Sequence, residues 1–240
     1  MCGRFTNRYS WREIKELYDL TTPYLTSNFP PRYNIAPTQQ SFVVRLVKDG
    51  SRELAELKWG LIPSWSKDDK GAVRMINARA ETAASLPAFR AAFKARPCLV
   101  VANGFCEWEK LSPKEKQPYF ITRRAGKPFA FAGLWEWRRP KDAPPAEPAG
   151  VESFTILTTE PNALCAKIHN RMPLMLAPED FAGWLGKPDN RAALLHPYPA
   201  DDMEMWPVTT SVGNVKNTGA ELIEPTGAAI KGAELVHDLA

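Results

Sequence analysis

Hydrophobic and polar positions along this chain change period repeatedly, and the changes outline its elements. In "SWREIKELYDL", Trp11, Ile14, Leu17 and Tyr18 fall on one helical face, and Ser10 and Glu13 stand at capping-box spacing, so a helix is expected. "SFVVRLVKDGSRELAELKWG" reads as two alternating strands folded back at Asp49-Gly50. Strand-like runs follow at "PCLVVA", "GFCEWEK", "PYFITRR", "PFAFAGLWEW" and "SFTILTTE". Helices are expected at "SLPAFRAAFKA", with Ser85 as cap and Pro87 in the first turn, at "NALCAKI", and at "APEDFAGWLG", stopped by Gly186. "NFPPRYNIAPTQQ" is rich in proline and asparagine and reads as a shaped loop, and "RRPKDAPPAEPAG" as a flexible insertion.

Strands dominate and helices interrupt them irregularly. This points to an α+β fold with a mostly antiparallel, barrel-like sheet flanked by short helices, and argues against a doubly wound sheet. No repeat or linker divides the chain, so one domain is expected over residues 2–225. The Ala/Gly-rich stretch 226–240 forms a loosely held tail.

Composition narrows the function classes only a little. Of 240 residues, 44% are hydrophobic and 24% charged, ordinary for a globular protein with a full core. A net charge of +4 permits a polyanionic partner without requiring one. Eight tryptophans are more than expected, and some can serve as stacking surfaces for flat ligands. No apolar run approaches the roughly 20 residues of a membrane span, and the start of the chain lacks a signal-peptide core. The expected address is cytoplasmic and nucleoid-associated in a bacterium, or nuclear in a eukaryote. No phosphate-binding glycine loop or dinucleotide fingerprint occurs. Cys2, Cys98, Cys106 and Cys165 show no CxxC pairing and no accompanying histidine spacing, so neither a structural zinc nor any other metal or cofactor is expected. The last three are expected as small buried hydrophobes.

Cys2 is different because of its position. Removal of Met1 would leave a residue carrying a free α-amine and a thiol on adjacent carbons. Three further places hold polar residues in otherwise structural stretches. "INARAET" alternates Asn77, Arg79 and Glu81 as if on one strand face. "NGFCEWEK" sets Glu107 between Cys106 and Trp108, and "HNRMP" presents His169 and Arg171 past a helix end. Taken singly, each has a plain structural reading. Asn77 can form a turn, Glu107 can face water or pair with arginine, His169 can cap a helix C-terminus, and Trp65 or Trp108 can fill core.

Taken together, "MCGRF", "PRYNIAPTQ", "WGLIPSW", "INARAET", "GFCEWEK", "HNRMPLML" and "PVTTSVGNVKNTGAELIEP", in that order, resemble the SRAP family of abasic-site processing proteins. The resemblance spans roughly residues 2–225. It implies covalent capture of abasic sites in single-stranded DNA, with single/double-strand junctions as a candidate setting, by a monomer that has no membrane partner. It further implies catalytic roles for Cys2, Asn77, Glu107 and His169. The α-amine of Cys2 would form an imine with the ring-opened sugar, and its thiol would close a thiazolidine. Glu107 would shuttle protons, Asn77 would orient the amine or a sugar hydroxyl, and His169 would protonate the sugar oxygen. Arg4, Arg79 and Arg171 would hold phosphates. Trp65 and the Asn34–Pro37 loop would border the bases, with Trp108 behind Glu107. A lyase side reaction and self-removal of Met1 also belong to what the family implies. Many relatives carry a basic residue near position 87, where this chain has Pro87; Arg90 is the nearest substitute. The other reading of an exposed "MCG" start is an N-terminal-nucleophile hydrolase or glutamine amidotransferase, with the Cys2 thiol attacking an amide.

Overall fold

The computed structural model describes residues 2–21, 29–139 and 150–236. The strands are β1 (Arg4–Asn7), β2 (Arg32–Ile35), β3 (Gln40–Leu46), β4 (Arg52–Trp59), β5 (Asn77–Arg79), β6 (Pro97–Ala102), β7 (Gly104–Lys110), β8 (Lys116–Arg123), β9 (Phe129–Arg138), β10 (Val151–Thr159), β11 (Met172–Pro173), β12 (Met175–Leu176), β13 (Met203–Pro207) and β14 (Ile230–Lys231). The helices are α1 (Trp11–Tyr18), α2 (Ala80–Ala83), α3 (Arg90–Ala95), α4 (Phe181–Leu185), α5 (Pro188–Ala192) and α6 (Gly232–Val236).

Five strands close on themselves. β4, β3, β6, β9 and β10 pair in that order, and β10 returns to β4 through the parallel contacts Ser153–Lys58 and Phe154–Trp59. Closure removes the two edges an open sheet would leave. The second sheet runs β14-β13-β8-β7-β1-β2 and is antiparallel throughout. The α+β, mostly antiparallel, barrel-like fold is therefore as expected.

Period-two alternation sorts the barrel side chains. Val43, Leu57, Trp59, Cys98, Val100, Phe131, Phe154 and Ile156 gather in one cluster with Phe5, Phe105, Ile121, Met203 and Met205 of the second sheet. The alternate residues, among them Val44, Leu99, Val101, Ala130, Ala132 and Leu157, meet Trp11, Ile14 and Tyr18 of α1, Phe93 of α3 and Phe181 and Trp184 of α4. Arg191 is buried within this second layer. It donates to the carbonyls of Trp184, Gly186 and Phe93, tying α3 to the end of α4. A third cluster, with Cys106, Phe120, Val208 and Val212, covers the far face of the second sheet.

Local signals were obeyed where the turn chemistry was unambiguous. Ser10 and Glu13 form the reciprocal capping box of α1. Gly50 adopts φ +85° in the β3–β4 hairpin. Four expectations need correction. "PRYNI" is not all loop, because Arg32–Ile35 joins the sheet edge beside β1 between flanking prolines. Ser85 does not cap α3. Its hydroxyl donates back to the Thr82 carbonyl, and the helix starts only at Arg90. Glu81 is not on the strand face of Asn77 and Arg79, since the Ala-Glu-Thr-Ala run turns helical at Ala80. The stretch after Pro225 is not loose throughout: Ile230–Lys231 pairs with β13, and α6 packs on the turn at Ala200–Asp202. The insertion at 140–149 lies outside the described residues.

Gly60 ends β4 at φ +122°, and a Cβ there would lie 2.7 Å from the Ala72 carbonyl oxygen. Gly60→Ala is expected to destabilise the protein by about 2 kcal/mol, from left-handed strain and overpacking against main chain. A urea unfolding midpoint unchanged from the parent would refute that.

Candidate functional site

The site assembles around the first described residue. Antiparallel pairing of Arg4 with Cys106 and Phe5 with Phe105 draws the start of the chain into the middle of the second sheet, between β7 and β2. Cys2 is fully buried in the cluster that also holds Phe5, Trp59 and Ile156. Its carbonyl accepts a hydrogen bond from Asn77 Nδ2 at 2.9 Å, and its Sγ lies 3.7 Å from the Arg4 carbonyl oxygen. Asn77 reaches this point because β5 runs parallel beside β10, with Asn77 opposite Ile156. The other amide atom, Asn77 Oδ1, is buried and accepts no hydrogen bond from the described residues. Buried acceptors are almost always satisfied, so this oxygen is a candidate contact for a bound group.

Glu107 is 5% exposed. Strand alternation places it with Phe105, on the side of β7 facing the Cys2 cluster, while Cys106 and Trp108 face the third cluster. Trp108 thus supports Glu107 from the opposite face, and its main-chain N–H donates to Glu107 Oε1 at 3.3 Å. Burial pushes the Cys2 thiol well above its ordinary pKa, and the negative charge of Glu107 pushes it further the same way. Cys106 and Cys165 are each raised to about 12, chiefly by burial. All four cysteines are free and buried. At neutral pH the site therefore holds a neutral thiol.

His169 follows a short turn at Cys165–Lys167, held by its N–H to the Cys165 carbonyl at 2.9 Å. Its Nδ1 stands 3.0 Å from the Arg171 main-chain nitrogen and 3.1 Å from the Arg171 carbonyl oxygen. One residue thus offers this ring atom both a donor and an acceptor. A neutral ring with its proton on Nε2 takes the N–H, and a ring protonated on Nδ1 donates to the C=O. Either charge state is satisfied without rebuilding the turn.

The three arginines differ. Arg4 donates to the carbonyls of Gly3 (2.9 Å) and Gly213 (3.1 Å) and to no carboxylate among the described residues. It is a half-buried cation that forms no ion pair among the described residues. Arg79 is exposed. Arg171 is already engaged. Its two terminal nitrogens meet both oxygens of Glu81, at 2.7 and 2.9 Å, and one also donates to the Thr158 carbonyl at 2.7 Å.

Trp65 is 66% exposed. It stands in the 60–76 loop, which is anchored at its start by Gly60 N–H to Phe154 and Ile62 N–H to Ser153 Oγ. Pro37 lies in a tight turn where Thr38 takes φ +72° and donates to the Trp59 carbonyl at 2.8 Å, so turn and loop are braced against one strand end. Asn34 is placed differently from its neighbours. It is buried, and its amide nitrogen bridges the carbonyls of Asn214 and Asn217, tying down that segment. Cys2, Asn77 and Glu107 thus converge, and His169 stands with Arg171, which Glu81 grips. No local spacing links Glu81 to Arg171, so the sequence carries no signal of this pair. Among the described residues no set of three or more His, Cys, Asp or Glu side chains could hold a metal, and no helix is long and apolar enough to cross a membrane.

A closed barrel, a sheet threaded by the chain start and a buried Cys2 beside Asn77 and Glu107 define one class, and residues 1–215 match the family model of the SOS response associated peptidase, SRAP. The chain belongs to that family. It is 41% identical over 230 residues to the abasic site processing protein YoqW of Bacillus subtilis, covering 93% of this chain and 99% of that one. To the abasic site processing protein YedK of Escherichia coli it is 34% identical over 236 residues, covering 94% and 100%. A solved protein from Bacteroides thetaiotaomicron shares the fold at TM-score 0.81 and 24% identity, covering 94% of this chain and all of that one.

The Asn77–Cys2 bond is expected to restrain the thiol. Asn77→Ala should speed alkylation of Cys2 several-fold, read by peptide mass mapping against the other three cysteines. In the parent, Cys2 alkylation should keep climbing from pH 7 to pH 10, because a thiol with a raised pKa reaches no thiolate plateau there; levelling near pH 8.5 would contradict the burial.

Proposed function

We propose that the mature protein captures abasic sites in single-stranded DNA covalently, through the α-amine and thiol of Cys2. The observation that carries the reading is the burial of Cys2 near a carboxylate, Glu107, and beside Asn77, whose Oδ1 finds no donor among the described residues.

An abasic deoxyribose opens to an aldehyde. An α-amine, with an ordinary pKa of about 7.7–8.0, keeps a neutral fraction at pH 7 that a lysine at about 10.4 does not. The amine adds to the aldehyde carbon, and loss of one water gives the imine. Glu107 accepts the amine proton and returns it to the leaving hydroxyl. Asn77 orients the amine or a sugar hydroxyl through Oδ1. The neutral thiol then adds across the C=N bond, its proton passing to nitrogen, and a five-membered thiazolidine closes by proximity. Ring closure removes the imine before it can acidify the adjacent sugar proton and expel the 3′ phosphate. His169 supplies the proton to the ring oxygen as the sugar opens and takes it back on reversal, a task suited to a ring satisfied in both charge states. Arg4 and Arg79 hold flanking phosphates. Trp65 and Pro37 border the bases, contacts that read shape and little sequence.

A hydrolase using Cys2 as a thiolate is less well supported, because burial and Glu107 both disfavour that thiolate. Incubation of Met1-free protein with an abasic oligonucleotide should give a heat-stable adduct whose mass is the sum of both partners less one water. Cys2→Ala should abolish it, and Cys2→Ser should give cleaved strand in its place. Glu107→Gln should slow adduct formation about 100-fold, the scale of a lost proton shuttle. A Cys2→Ala protein that still forms the full adduct would end the proposal.

A further inference from the structure

Arg4 and Asn34, both expected to meet DNA, hold one and the same stretch of protein. Arg4, two positions from Cys2, donates through Nη2 to the Gly213 carbonyl at 3.1 Å. Asn34, buried on β2, donates through Nδ2 to the carbonyls of Asn214 and Asn217 at 3.0 and 2.9 Å. Its Oδ1 accepts no hydrogen bond from the described residues, so among them this segment is all the side chain holds. A third link runs to the turn that carries Pro37, because Asn34, Gln39 and Thr218 line a common cavity of about 120 Å³. Residues 213–218 thus adjoin both the Cys2 end of the chain and the turn that would border bases.

Inside the segment the main chain is fixed by its own turns. Lys216 N–H donates to Asn214 Oδ1 at 3.1 Å, Asn217 N–H to the Asn214 carbonyl at 3.1 Å, and Asn217 Nδ2 to the Ser211 carbonyl at 2.9 Å. Buried Val212 roots it in the third cluster. This frame presents to solvent the side chain of Lys216, which is exposed and joins no ion pair among the described residues. It is the only charged residue from Pro207 to Ala220. An ammonium on a flexible stem, raised above a fixed main chain, suits a phosphodiester, a contact that positions a strand without reading it.

We propose that residues 213–217 form a wall of the strand-binding face and that Lys216, carried on it, is a phosphate contact, with Asn34 as the residue that positions the wall. The inference rests on single-stranded DNA as the ligand. It gives Asn34 an indirect part: the amide acts through Lys216 and touches no nucleotide.

Binding of an intact single-stranded oligonucleotide, followed by fluorescence anisotropy across a salt series, tests this without any adduct. Lys216→Gln, at an exposed position, should bind about fivefold more weakly at low salt whatever the base sequence. The slope of log affinity against log salt should fall by about 0.7, the share of one phosphate on a single strand. Lys216→Arg should keep the parent slope. Asn34→Ala should lose the same slope as Lys216→Gln, with Asn34→Ser, which keeps one donor, in its place should the alanine variant not fold. Combined with Lys216→Gln, the Asn34 variant should lose nothing further, which a general loosening of the fold would not produce. In the parent, bound oligonucleotide should slow acetylation of Lys216 several-fold, read by peptide mass. A Lys216→Gln slope equal to that of the parent overturns the phosphate contact, and so does acetylation unaffected by bound strand. Losses that add in the double variant overturn the positioning by Asn34. A parent that binds intact strands yet forms no adduct with an abasic oligonucleotide ends the capture mechanism, while the salt slope still decides Lys216. A parent that forms adduct while Lys216→Gln keeps its slope ends this inference alone.

Discussion

The pairing of β1 between β2 and β7 is the constraint on which the site depends. A chain start is ordinarily the most mobile part of a domain. Here it is threaded into the interior of a six-stranded sheet, with Phe5 packed edge-on against Trp59 and Phe131. The ladder fixes the register of Arg4 opposite Cys106, which brings Glu107 alongside the residue preceding β1. Once Cys2 is buried, its polar groups must be satisfied by the protein, and Asn77 does this from the barrel side. The site thus lies where the barrel and the second sheet share a hydrophobic cluster, and neither layer could form it alone.

That arrangement explains the division between chemistry and support. Groups close to Cys2 come from regular strands: β5, laddered to β10, and β7, laddered between β1 and β8. Groups that would meet a long ligand come from connections: Trp65 from the 60–76 loop, Pro37 from the left-handed turn at Thr38. These connections are pinned at their bases by hydrogen bonds to the end of β4 and to Ser153 and Phe154 within β10, while their tips stay open to solvent. A rigid floor with exposed rims suits a ligand whose reactive atom must be placed closely and whose flanks vary.

How much of this could be read from the chain varies with the range of the interaction. The capping box at Ser10 and Glu13 and the Asp49-Gly50 hairpin were legible because both signals act within four residues. The buried cysteines and the alternation of the barrel strands were legible for the same reason. Ser85 misled because its hydroxyl can bond backward as readily as forward, and the competing Thr82 carbonyl is visible only once α2 is known. Arg32–Ile35 looked like loop because the strand borders a single partner and is bounded by prolines. The convergence of Cys2, Asn77 and Glu107 could be suspected from the family motifs, although their spacing gives no geometry. The Glu81–Arg171 pair had no such signal, being joined across ninety positions by tertiary folding alone.

The ladder between Arg4–Asn7 and Gly104–Lys110 carries a consequence for biosynthesis. β1 cannot meet β7 until residues past 104 have emerged from the ribosome, so its place inside the sheet is completed late in synthesis. Once β7 docks, Phe5 and Thr6 are buried and Cys2 is brought to Asn77.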